Sequence, residues 1–119
     1  MYKVTFQPSA AIKVEFDASS PKEYMEKMQA IEEVAQHTTC GKCGGKQVLH
    51  VVRTVNGNKF YEKHCANPQC RAVVSFGANK EGDTLFTKRF EEVEEDGEKV
   101  RKWFKTPWTK YNKETGRRE

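Results

Sequence analysis

Long apolar stretches are missing from this 119-residue chain, and no run approaches the roughly 20 residues that span a bilayer. The first eleven residues have neither the cationic start nor the apolar segment of an export signal. No membrane association is expected, and the setting implied is the cytoplasm. Apolar residues are scarce overall, at 36% hydrophobic against 32% charged. A chain of this length fits one domain burying roughly 65% of its unfolded surface. So thin a core gains from a metal cross-link. Catalytic signatures are missing too: there is no His-Glu-x-x-His, no G-x-S-x-G turn and no phosphate-binding glycine loop. Apart from two cysteine knuckles there is no internal repeat. A non-enzymatic protein is expected.

Cysteine is rare as well, but its four copies are placed informatively. Cys40 and Cys43 form a C-x2-C pair, 21 residues follow, and Cys65 and Cys70 form a C-x4-C pair. In a reducing compartment two close pairs favour metal over disulfides. Both gaps lie within the range of structural zinc sites. The glycines of Cys40-Gly41-Lys42-Cys43-Gly44-Gly45 allow a tight turn that aims backbone N–H groups at the sulfurs. Four thiolates fill a tetrahedral shell, so one structural Zn²⁺ with no open position is expected. Two disulfides, four free thiols, an iron–sulfur cluster, or His64 standing in for Cys65 are the alternatives.

Between the knuckles, Val48 to Arg53 alternates, Asn56-Gly57 is a strong hairpin-turn signal, and Lys59 to His64 returns toward Cys65. Arg71 to Phe76 supplies a third strand. Knuckle, hairpin, knuckle, strand is the zinc-ribbon arrangement. Upstream, Tyr2 to Phe6 and Ile12 to Phe16 alternate as two strands around a turn at Gln7 to Ala10. Ser20-Pro21-Lys22-Glu23 is a helix start. Tyr24, Met28, Ile31 and Val34 then recur at helical spacing, which predicts an amphipathic helix over about 21–36 packed on the N-terminal strands. Thr84 to Phe90 reads as a short strand. The acidic run 91–98 reads as a solvated turn or mobile loop, with a strand that screens basic surface as the rarer reading. Residues 1–111 form the expected domain. Residues 112–119 lack any apolar side chain and are expected to be a disordered basic tail.

Charge is uneven along the chain. Residues 40–90 carry nine Lys/Arg against three acids, 91–98 carry six acids, and 99–119 carry eight Lys/Arg against two acids. The formal net charge of +4 falls to about +2 once four thiolates bind a dication. Segment charge is therefore more informative than the total. In the basic segments aromatics are interleaved with cations. Lys and Arg neutralise phosphates, and flat side chains stack on unpaired bases. The candidates for phosphate are Lys59, Lys80, Lys88, Arg89, Arg101, Lys102, Lys105 and Lys110. Those for bases are Tyr61, Phe86, Trp103, Phe104, Trp108 and Tyr111.

Ser75-Phe76-Gly77, Lys80-Glu81-Gly82, the run Thr84 to Arg89 and Trp108-Thr109-Lys110-Tyr111 resemble a family of small zinc-ribbon proteins from bacteriophages and mobile elements. The likeness covers roughly residues 11–111 and is most specific from Ser75 to Arg89. The second knuckle departs from the shorter C-x2-C of that family, which affects its loop and not the metal. The resemblance implies a single-stranded DNA-binding or accessory role in replication or recombination, in the host cytoplasm if phage-encoded.

The expected fold is α+β: N-terminal strands, one amphipathic helix, a four-cysteine zinc ribbon and basic C-terminal strands, together making a small barrel of the oligonucleotide-binding kind. The expected partner is single-stranded nucleic acid, DNA before RNA, with self-association and a protein partner left open. The alternatives in function are a protein-interaction adaptor or host-enzyme inhibitor that uses the acidic run, and a nuclease.

Overall fold

In the computed structural model, which describes residues Met1–Glu119, the alternating N-terminal segments form an antiparallel hairpin of β1 (Tyr2–Ser9) and β2 (Ile12–Ala18). Val4 lies opposite Phe16 and Phe6 opposite Val14, all half-buried. Helix α1 (Pro21–Ala35) follows. Ser20 caps it, its Oγ accepting from the Glu23 N–H at 3.1 Å, while the Glu23 carboxylate accepts from the Ser19 N–H at 3.3 Å. The first bond satisfies a donor that a helix start leaves orphaned, and the second ties the residue before the cap to the first turn. The helix packs on β2, β1 and, at its far end, the central sheet.

That sheet runs β3 (Val48–Val55), β4 (Asn58–Cys65), β5 (Val73–Ala78) and β6 (Leu85–Thr87), all antiparallel. Asn56 and Gly57 turn the first hairpin with φ of 51° and 81°, the positive pair that a twisted two-residue turn requires. A short strand, β9 (Trp108–Thr109), pairs with Val73 and Val74, so β6 and β9 share one edge of β5. The core is small: Cys40, Cys65, Cys70, Ala72, Val74, Phe76 and Trp108, flanked by Val34, Val48, Tyr61 and Leu85.

Polar contacts fasten the helix to this sheet. Lys63 is 2% exposed, and its Nζ donates to the Val34 and His37 carbonyls at 2.6 and 3.0 Å. A helix end leaves such carbonyls unpaired and favours a cation beside them. Desolvation lowers the Lys63 pKa, and the two carbonyl bonds offset that cost. The Thr87 N–H donates to the Glu33 carboxylate at 2.7 Å, which holds Glu33 below the usual carboxylate range.

Three expectations are corrected. The acidic run is not a loop. It forms most of β7 (Phe90–Glu95), and Asp96-Gly97, with φ of 53° and 79°, turns the chain into β8 (Glu98–Trp103). Glu91 faces Lys102, Glu92 faces Arg101 and Glu94 faces Lys99, so opposite charges pair across the ladder. The tail does not fray. Tyr111–Asn112 (β10) pairs with Arg117–Arg118 (β11), and the Arg118 guanidinium donates to Thr109 Oγ1 and to the Thr109 carbonyl, both at 3.0 Å. No barrel closes. One five-stranded and three two-stranded sheets stay separate, and β3 keeps a free edge. The molecule is accordingly elongated, with a radius of gyration of 16.5 Å, where a compact chain of this length has about 13.5 Å. The architecture is α+β, one helix with antiparallel sheets.

Candidate metal centre and basic aromatic cleft

The knuckles meet as the hairpin length requires. The four Sγ atoms of Cys40, Cys43, Cys65 and Cys70 all lie within 4.8 Å of one another. Cys40 and Cys70 are 3.7 Å apart and Cys43 and Cys65 3.6 Å. A disulfide needs about 2.05 Å. The edge of a tetrahedron with metal–sulfur bonds of about 2.3 Å is about 3.8 Å. All four cysteines are free. In the first knuckle the Lys42 N–H donates to Cys40 Sγ at 3.3 Å and the Gly45 N–H to Cys43 Sγ at 3.4 Å. In the second, the Asn67 carbonyl accepts from the Cys70 and Arg71 N–H groups, both at 3.0 Å, and Asn67 Oδ1 accepts from the Gln69 N–H at 2.9 Å. This cross-bracing folds the longer gap so that both of its thiols reach the cluster. His64 points to the other face of β4, its Nε2 2.8 Å from the Glu62 carboxylate, so Cys65 is the inward ligand.

Crowded thiols resist ionising together. The Gly45 amide holds Cys43 down to about 7. At Cys65 the Asn67 amide favours the thiolate, but desolvation and the neighbouring sulfurs outweigh it and push the thiol up to about 12. Desolvation also raises Cys70. A dication among the four sulfurs would remove this penalty, as metal sites of deprotonated ligands require.

Trp108 closes the site from below. A Cβ on Gly41 would lie 2.6 Å from Trp108 Cδ1, so the knuckle and the indole can touch only with glycine there. At 3% exposure Trp108 is core and cannot stack on a base. His37 packs edge-on against it and against Phe76, at 6.4 and 5.7 Å between centroids.

The expected binding residues divide. Phe86, Lys88, Arg89, Trp103 and Phe104 come together around one open cleft of ≈ 580 Å³, joined by Phe90 and Arg118. Trp103 is 65% exposed and packs on Phe90 at 4.9 Å between centroids. Phe86 lies over Gly77, where any Cβ would overlap the ring. Lys102 and Lys105 line a neighbouring cleft with Lys42 and Arg117. Arg101 sits over the Phe90 ring at 4.7 Å. Lys59 lies near the tip of the β3–β4 hairpin, Tyr61 packs on the core, and Lys80 lies in the β5–β6 connection. Lys110 and Tyr111 are exposed on the C-terminal hairpin. None of these five lines either cleft.

Sequence reasoning passed over Lys42, Lys63, Phe90, Arg117 and Arg118. Lys63 was legible, because it shares the inward phase of β4 with Tyr61 and Cys65. The arginines were masked by the polar composition around them. No protein-family model matches the chain, and neither does any curated protein or solved structure.

Proposed function

We propose that this chain is a non-catalytic single-stranded DNA-binding protein whose ribbon is held by one structural zinc ion. The observation that carries the reading is the cleft that gathers Phe86, Phe90, Trp103 and Phe104 beside Lys88, Arg89 and Arg118. Exposed rings stack on any unpaired base, at about 1–3 kcal/mol each, and the cations neutralise the backbone. Duplex bases are already stacked and offer no face to Trp103. Zinc is the metal that four thiolates at single-ion spacing suit, since an iron–sulfur core would hold the sulfurs further apart. A shell filled by four protein ligands has no position for substrate water, so the metal's role is to fold the ribbon. The motif likeness of residues 75–89 adds phage replication or recombination as the setting.

The test is a titration with oligo-dT, read by tryptophan emission. Trp103 should be quenched and Trp108 should not, so Trp103→Phe abolishes the signal while Trp108 still reports a folded core. The logarithm of affinity should fall with that of salt by about 0.7 per phosphate contacted. An RNA oligomer and a duplex of the same length serve as competitors, and preferential loss to RNA would reassign the ligand. No quenching at low salt would remove the reading.

A second reading, a protein-interaction adaptor or host-enzyme inhibitor, is favoured by the eight-residue free edge of β3. Leu49, Val52 and Val55 are exposed there, Arg53 is its one charge and is paired to Glu62, and no lysine, proline or bulge guards it. A partner retained after nuclease treatment would support it.

A further inference from the structure

Beside the aromatic cleft lies a smaller one of ≈ 320 Å³ that shares its Glu91, Trp103, Phe104 and Arg118 walls. The rest of its lining is wholly charged: Lys42, Lys102, Lys105 and Arg117, against Glu119. We infer that this second cleft is a phosphate site, and that Glu91 and Glu95 stand in for phosphate on its cations until nucleic acid displaces them. The inference rests on the single-strand reading above and specifies how that site takes its ligand.

Cations outnumber acids in the lining, and one of them keeps an unused donor although a carboxylate stands beside it. Arg117 Nε is buried and has no hydrogen-bond partner. Glu91 pairs with it in charge only: its carboxylate oxygen is 3.7 Å away, too far to accept a hydrogen bond, so the pair is weak. A buried guanidinium N–H without an acceptor is costly, and an anion drawn into the cleft would satisfy it. Lys102 is held instead by Glu95, Nζ to Oε1 at 2.7 Å. Both partners of that pair are substantially exposed, so it is weak and easily exchanged. Lys102 also keeps the Glu95 carboxyl below the usual range, so it stays an anion at neutral pH.

The position of the shared wall gives the arrangement its selectivity. A nucleotide carries its base and its phosphate on opposite sides of the sugar. With Trp103 and Phe104 lining both clefts, a base can stack on one side while its phosphate reaches Arg117 and Lys102 on the other. Glu91 borders both clefts, but a carboxylate has no flat ring to stack on Trp103 and can replace only the phosphate. Single-stranded nucleic acid fills both clefts and so outcompetes the internal glutamates, whereas a simple anion does not.

Lys42 ties this site to the metal centre. It lies between Cys40 and Cys43, and its own N–H donates to Cys40 Sγ at 3.3 Å. The fold of the first knuckle therefore sets where one phosphate-binding cation stands.

The experiment compares wild type with Glu91→Gln/Glu95→Gln and with Glu94→Gln/Glu98→Gln, using labelled oligo-dT and fluorescence anisotropy across a salt series. Both double variants remove two charges from the same hairpin, but only the first frees the cations of the cleft. Glu91→Gln/Glu95→Gln should bind roughly threefold or more tighter. Its salt slope should steepen by about 0.7 for each cation released. The control pair should match wild type within about twofold. Arg117→Gln should weaken binding and flatten the slope by about 0.7. Equal effects from the two double variants, or wild-type binding by Arg117→Gln, would overturn the inference while leaving the single-strand reading in place. If neither wild type nor any variant binds at low salt, the single-strand reading falls with it.

Discussion

Trp103 and Trp108 lie five residues apart, and one is 65% exposed while the other is 3% exposed. The difference belongs to the regions that hold them. Trp108 pairs with β5, where two strands already meet and the knuckles cover the face. Trp103 ends a two-stranded hairpin with nothing packed on its outer side, and two strands alone bury little. All buried residues except Ala18 fall between Cys40 and Thr109, and none lies in β7 or β8. The cysteine-centred half of the molecule holds the fold together, and the hairpin half offers surface.

The strongest way to break that division is to remove a thiolate. Cys65→Ser should lose stoichiometric metal and cooperative unfolding together. Binding energy of about 10–16 kcal/mol would go from a domain whose whole stability is about 5–15 kcal/mol. Elemental analysis and circular dichroism measure it, and a folded, metal-free variant would show that the cysteines are not the clamp. The tryptophans come next. Trp108→Ala should cost about 3–5 kcal/mol as a core truncation, and Trp103→Ala should stay within about 1 kcal/mol. Urea denaturation decides between them, and similar costs would erase the distinction between the two halves.

The smallest effect concerns pH. Desolvation, with help from Lys63 and Arg89, lowers the His37 pKa from its ordinary 6.5. The unfolded chain therefore takes up a proton near 6.5 that the folded chain refuses. Stability present above that value is lost as pH falls through the lower folded pKa. His37→Gln should show a shallower loss of urea midpoint between pH 7.5 and 5 than wild type. An unchanged slope would place the acid sensitivity elsewhere.

The cysteine cluster, the ribbon order and the helix start were legible, because each depends on spacing or on a local dipeptide. Asp96-Gly97 carries the same turn signal as Asn56-Gly57, yet the run of acids around it disguised the strands. What reveals β7 is the set of cations opposite it, and pairing across a ladder is not written in either strand alone. The tail was misread for a related reason. Its hairpin is held by Arg118 on Thr109 and by two backbone bonds between Lys110 and Glu119, not by apolar burial.

Sequence by itself determined which four sulfurs would converge, since cysteines at chelating intervals on either side of a hairpin are brought together when it closes. It also supplied the aromatics and cations. Which of them face a ligand was decided only by tertiary structure. Period-two alternation assigns a side chain to one face of a strand, but packing of the helix, the knuckles and the neighbouring hairpin settles which face is covered.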